Sequence, residues 1–140
     1  MTEASLIGLF VATVSFGALL YLAALGELLA EKAGVLNLGV EGMMAVGAVP
    51  AFIAGVELKN PWAALIVAMF SGAMLASVHG FFTVGLGAEQ VVSGLSLTIL
   101  GLGLAAYLGK DYVGLPPGAE LVPVESVSYT HLTLPPIYSV

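Results

Sequence analysis

GELLAEKAGVLNLGVEGMMAVG, residues 26–47, is the stretch on which the reading of this chain turns. It sets Glu27, Glu31, Lys32 and Glu41, together with Asn37, among glycines and aliphatic residues. An ionisable side chain in hydrocarbon costs roughly 2.5–3.5 kcal/mol by insertion scales, so such residues persist where they face a bundle interior, a water-filled path or a partner. Composition says that the surroundings are hydrocarbon. Hydrophobic residues make up 59% of the 140 and charged residues only 9%, with a mean hydropathy of +1.07. A soluble domain carries about 25% charged residues, and a chain of this length could not hide so much apolar surface in water. The stretch reads as the working part of a membrane protein.

Working outward, the chain divides into four candidate spans, each near the roughly 20 apolar residues that a helix needs to cross a bilayer. The first is 6–25, without a charge; no basic segment precedes it and Glu3 is acidic, so it reads as a span and not as a cleaved signal peptide. The second is 34–56, apolar except for Asn37 and Glu41, with Pro50 near its far end. Glu57, Leu58, Lys59 and Asn60 then form a turn, Pro61 suits the first turn of the next helix, and Trp62 sits where an interfacial aromatic belongs. Spans three and four are 61–86 and 91–108, linked by Gly87, Ala88, Glu89 and Gln90. The expected fold is all-α, a polytopic transmembrane helix bundle. Lys59 and Lys110 fall on one side and Lys32 on the other, a balance too even to orient it.

Several functions are excluded. Nine acids against three lysines give a net charge of −6, the opposite of the basic face that nucleic acid requires. There is no cysteine for a disulfide or a thiolate, and His79 and His131 stand far apart without metal-ligand spacing. Gly-Leu-Gly-Leu-Ala-Ala at 101–106 lies in an apolar helix, not at a strand–helix turn, so it is no dinucleotide fingerprint. No nucleophile–base set, phosphate loop or metal site appears, and an enzyme or a bound cofactor has nothing to stand on.

What the polar residues can do is narrower. Asn37 and Glu41 are four apart, on one face if that segment is helical. Gly34, Gly39, Gly42 and Gly47 weaken regular helix around them. A glycine-interrupted span with a few polar groups points to a discontinuous helix lining a transport path, where unwound carbonyls, the Asn amide and the Glu carboxylate meet a polar solute. A purely structural inter-helix hydrogen bond is the other reading. For Glu27, Glu31 and Lys32 the choice is between an interfacial charged loop and a docking surface for a cytoplasmic partner. Glu89 and Gln90 precede the fourth span, where an acid favours a helix N-terminus. Ser93, Ser96 and Thr98 read as packing hydroxyls, and His79 as a hydrogen-bonded or packed residue. Gly72, Ala76 and Gly80 form one row of small residues and Gly101 and Ala105 another, the pattern of close helix contact in lipid.

Residues 127–140, VSYTHLTLPPIYSV, switch to Ser, Thr, Tyr and Pro and resemble translated sequencing-adapter read-through. They are expected to be a non-native tail outside the fold, a genuine polar loop being the other reading, which leaves 1–126 as the N-terminal part of the membrane domain.

Residues 26–48, GELLAEKAGVLNLGVEGMMAVGA, followed by AEQVVSGLSLTILGLGLAAYLGK at 88–110, resemble the inner-membrane permeases of bacterial ABC importers. The likeness is to the branch that takes up nucleosides or simple sugars, within the group that also holds branched-chain amino-acid permeases. It covers about residues 5–115. The pattern GVLNLGVEGMM falls on 34–44 and QVVSGL on 90–95. The resemblance implies a multi-pass protein of the bacterial plasma membrane, and the polar, glycine-interrupted span makes Asn37, Gly39, Glu41 and Gly42 the residues expected at its solute path. The resemblance also implies a second permease subunit, a cytoplasmic ATPase that binds the ATP, and an extracytoplasmic solute-binding lipoprotein. Permeases of this kind carry about twice as many spans, so the chain is expected to be an N-terminal fragment. A small structural membrane subunit without a transport role is the rival of a different class.

Overall fold

A computed structural model describes residues 3–119 of the chain. The adapter-like tail at 127–140 and the boundary at 126 lie outside the described residues. Four helices account for the fold: α1 (Glu3–Lys32), α2 (Val40–Leu58), α3 (Pro61–Gly80) and α4 (Gln90–Gly109). A π-helical turn, Phe81–Gly85, prolongs α3, and a 3-10 turn, Lys110–Tyr112, prolongs α4. No strand occurs among the described residues. With the turns included, all four helices are long and apolar enough to cross a membrane. The all-α polytopic reading holds.

Local chemistry sets most helix ends. Asn60 caps α3 by accepting from Trp62 N at 3.0 Å and Ala63 N at 3.3 Å, with Pro61 in the first turn as its fixed φ and missing N–H favour. Glu89 caps α4 with both carboxylate oxygens, on Val91 N at 3.1 Å and Val92 N at 2.6 Å. Gly34, at φ +85°, ends α1: Gly34 N donates to Glu31 O at 2.9 Å and Val35 N to Ala30 O at 3.0 Å. Those two bonds are a Schellman motif, whose left-handed residue is cheapest as glycine. Lys59 takes the left-handed position at the end of α2, and its N–H reaches Gly55 O.

Two boundaries differ from the sequence reading. The second span starts as helix at Val40, not at residue 34, so Asn37 precedes α2 and does not share a helical face with Glu41. Glu27, Glu31 and Lys32, weighed as a charged loop, belong to the last turns of α1, which continues about 10 Å past residue 25. In both cases the Gly34 cap places the break.

Packing assembles α2, α3 and α4. Helices α2 and α3 form an antiparallel pair, with Gly47 beside Ala68 and Gly55 beside Ala64. Helix α4 runs parallel to α2: Gly42 lies against Leu97, Thr98 and Gly101, and Gly109 lies beside Val49. A Cβ at Gly101 would stand 2.6 Å from Gly42 Cα, so the two backbones touch there without intervening side chains. Val46, Leu75 and Leu97 form the buried cluster, with Met43 and Val78 packed on it. Gly101 and Ala105 are buried as their spacing suggested. The other row fails. Gly72 faces Met43 O, but Ala76 is exposed and nothing lies within 4 Å of a Cβ at Gly80. Four-residue spacing makes a row, but the partner's path decides whether anything follows it. Helix α1 is exposed along its apolar length, as lipid-facing helices are, and meets the rest near its C-terminal end.

Candidate functional site

Residues 33–39 join α1 to α2 without being helical, and they are the only such stretch that three helices hold in place among the described residues. A backbone outside a helix must find partners for its N–H and C=O groups, most acutely away from water. The N–H groups of residues 33–35 turn back to carbonyls of α1, and beyond them the partners are side chains. Gln90, at the start of α4, accepts from Leu36 N at 2.7 Å and donates Nε2–H to Gly34 O at 3.2 Å. His79, near the end of α3, is 3% exposed and lies 3.3 Å from Leu36 O through Nε2 and 3.1 Å from Ser93 Oγ through Nδ1. A carbonyl can only accept, so the contact with Leu36 O is a hydrogen bond when Nε2 carries a proton. Thr98 Oγ1 donates to Leu38 O at 2.9 Å, and Glu27 Oε1 accepts from Asn37 N at 2.8 Å. Thr83 in turn donates to His79 O at 2.8 Å and is itself buried.

The parallel course of α2 and α4 and the return of α3 bring these groups to one end of the bundle. Close backbone approach lets them reach: Gly94 sits where a Cβ would meet Leu38 N at 2.8 Å.

Each residue expected at a solute path has a definite place. Asn37 is half-buried; its Oδ1 accepts from Gly39 N at 2.9 Å, an Asx turn leading into α2, and its Nδ2 lies 3.4 Å from Met43 Sδ. Glu41 is exposed in the first turn of α2, where the helix dipole favours an acid, and makes no hydrogen bond or ion pair among the described residues. Gly39 and Gly42 are buried against α4. Asn37 and Glu41 are thus separated in role, one turning the chain and one open.

The residues grouped as a docking surface also part company. Glu27 is half-buried and turned to Asn37, with Oε2 buried and unpaired among the described residues. Glu31 and Lys32 remain exposed. A groove of about 320 Å³ lies between α1 and the non-helical segment, lined by Ala23, Ala24, Glu27, Glu31, Leu36, Asn37, Leu38 and Val40. A second groove, of about 440 Å³, runs between the end of α3 and α4 past Phe82, Glu89, Ser93 and Leu97.

The carbonyls of residues 34, 36 and 38 are met by Gln90, His79 and Thr98. From the sequence these three read as a linker residue, a packed or hydrogen-bonded histidine and a packing hydroxyl, and the structure gives His79 hydrogen-bond contacts on both ring nitrogens. The usable clue was topological. Up-and-down spans bring residue 36, the end of span three and the start of span four to one side, where His79, Gln90 and Thr98 cluster.

Comparison with known proteins agrees with this architecture. The chain is 48% identical over 106 residues to TsgC13 of Haloferax volcanii, whose name gives it provisionally as a glucose ABC transporter permease protein; the match covers 76% of this chain and 32% of the relative. It is 36% identical over 109 residues to the guanosine ABC transporter permease protein NupQ of Bacillus subtilis, covering 74% of this chain and 34% of the relative. The nucleoside ABC transporter permease protein NupC of Lactococcus lactis is 29% identical over 90 residues, 60% of this chain and 28% of its own. This chain therefore spans about a third of the length of the curated relatives it matches. No solved structure matches it significantly. The family described as "Branched-chain amino acid transport system / permease component" matches residues 9–129, and the chain belongs to that family of membrane permeases.

Proposed function

We propose that the chain forms part of the membrane permease of an ATP-binding-cassette importer for a nucleoside or a simple sugar. The observation that carries the solute class is the likeness, at 48% and 36% identity, to permeases named for glucose and for guanosine. The partners proposed with it are a second permease subunit, a cytoplasmic ATPase that binds ATP, and an extracytoplasmic solute-binding lipoprotein. The mechanism is alternating access. The ATPases bias a two-state equilibrium of the permease pair, which they can do only by contacting the two states differently.

Within this reading Asn37, Gly39, Glu41 and Gly42 shape the solute path. Support comes from the tethered non-helical segment beside them, the kind of irregular backbone that membrane proteins keep where it lines a cavity. Glu41 is the side chain free to meet a solute. The exposed Glu31 and Lys32 are proposed as the partner contact, and Glu27 as their neighbour on the same helix end.

The test is uptake of labelled guanosine and glucose by the full-length protein assembled with its ATPase and binding protein. Uptake of either supports the assignment. Capture of branched-chain amino acids by the cognate binding protein, with no uptake of either solute, would favour the second reading, for which the family's description speaks. In the same assembly Glu41→Ala is expected to lower uptake about ten-fold or more while membrane levels stay normal, the scale of one lost transition-specific contact. Undiminished uptake at normal levels removes Glu41 from the path.

A further inference from the structure

We infer that Gln90 is a positioning residue: its amide clamps the non-helical segment between α1 and α2 from the first turn of α4. One side chain satisfies a donor and an acceptor two residues apart, Leu36 N at 2.7 Å and Gly34 O at 3.2 Å. A primary amide of this length offers both an acceptor and a donor in one plane. Gln90 does not cap its own helix, because Glu89 already does so with both oxygens. Its side chain is therefore committed to the segment. The clamp is also the segment's link nearest to the turn between α3 and α4, which reverses direction through Gly87 at φ +66°. His79 and Thr98 hold Leu36 O and Leu38 O separately, so the segment stays tethered when the amide is lost. Loss of Gln90 frees one backbone donor and one acceptor without unfolding the cradle. That makes position, not presence, the property Gln90 controls.

The inference rests on the proposed transport role only where uptake is concerned; the clamp itself is testable without transport. These 140 residues contain no cysteine, and Leu38 is 44% exposed beside the clamped residues. In the full-length protein, with any cysteine of the remaining chain replaced, Leu38→Cys is labelled with a membrane-impermeant thiol reagent. Gln90→Leu is expected to change the labelling rate about five-fold or more, the factor that one lost net hydrogen bond makes in an opening equilibrium. Gln90→Glu keeps the acceptor for Leu36 N and loses the donor to Gly34 O, so it should fall between. Gln90→Leu should also shift the apparent KM for uptake more than the maximal rate at equal membrane levels. Unchanged labelling in Gln90→Leu, with normal membrane levels, overturns the clamp. If that variant fails to accumulate, an unchanged rate in Gln90→Glu overturns it equally. Changed labelling with unchanged uptake supports the clamp and overturns the path reading of the segment.

Discussion

At Gly42 a single added methyl group would place its Cβ 2.5 Å from Leu97 O and 2.7 Å from Thr98 Cα. Those are backbone atoms of α4 and cannot swing aside, so α2 and α4 would have to separate. Gly42→Ala or Gly101→Ala should destabilise the full-length protein by on the order of 1–3 kcal/mol, the usual cost of overpacking. The thermal midpoint in detergent is the measurement. Gly103 lies on the same helix with nothing within 4 Å of a Cβ, so Gly103→Ala should be neutral or stabilising by about 0.5–1 kcal/mol. Equal effects at the three positions would mean that the helices do not cross at Gly42 and Gly101. At this scale the sequence was partly legible. The spacing of Gly101 and Ala105 announced a packed face, but the same spacing at Gly72, Ala76 and Gly80 did not produce one. Glycine spacing describes one surface, and an interface needs two. The site was less legible still. Asn37 stands out in the sequence, whereas Gln90, His79 and Thr98 look ordinary there because their meaning lies in the backbone they reach.

Among the elements, the break after α1 matters most. The run from residue 34 to 56 is apolar enough to read as one span, and hydropathy cannot see that its first six residues are not helical. Gly34 could have shown it: a glycine after Glu-Lys-Ala at the end of an apolar helix is the place for a left-handed cap. Gly34→Ala should cost about 1–2 kcal/mol, because an L-residue at φ +85° brings its Cβ against the following carbonyl. Hydrogen exchange at the amides of Gly34 and Val35, which close the motif, should then speed up several-fold or more. Gly34→Asn should recover part of the loss, since asparagine tolerates that conformation. Exchange unchanged in Gly34→Ala would show that other contacts hold the helix end. The starts of α3 and α4 were legible for the opposite reason. Asn60 with Pro61, and Glu89 two residues before Val91, are caps that work through neighbours in sequence.

For the molecule as a whole, the parallel course of α2 and α4 is the arrangement on which the site depends. Val49→Cys and Gly109→Cys should form a disulfide in membranes under mild oxidation, because a Cβ at Gly109 lies 3.3 Å from the Val49 side chain. Gly39→Cys with Gly109→Cys should not, since Gly39 is about 15 Å further along the helix axis from Val49 and bridged Cα atoms lie within about 7 Å. Cross-linking of the second pair and not the first would reverse the direction of α4. Of the protein, the sequence by itself determined the four apolar helices and their up-and-down order. Crossing lipid is a contract between each short run of residues and the bilayer, and length and hydropathy suffice to state it. Gly34 ends α1 locally, but only the tertiary structure decided how the non-helical backbone after it is held. The groups that satisfy that backbone stand 10 residues away at Glu27, 43 at His79, 54 and 56 at Gln90 and 60 at Thr98. The bonds from His79, Gln90 and Thr98 exist only once α3 and α4 have packed beside α2, and no local pattern can declare a partner that folding has yet to bring near.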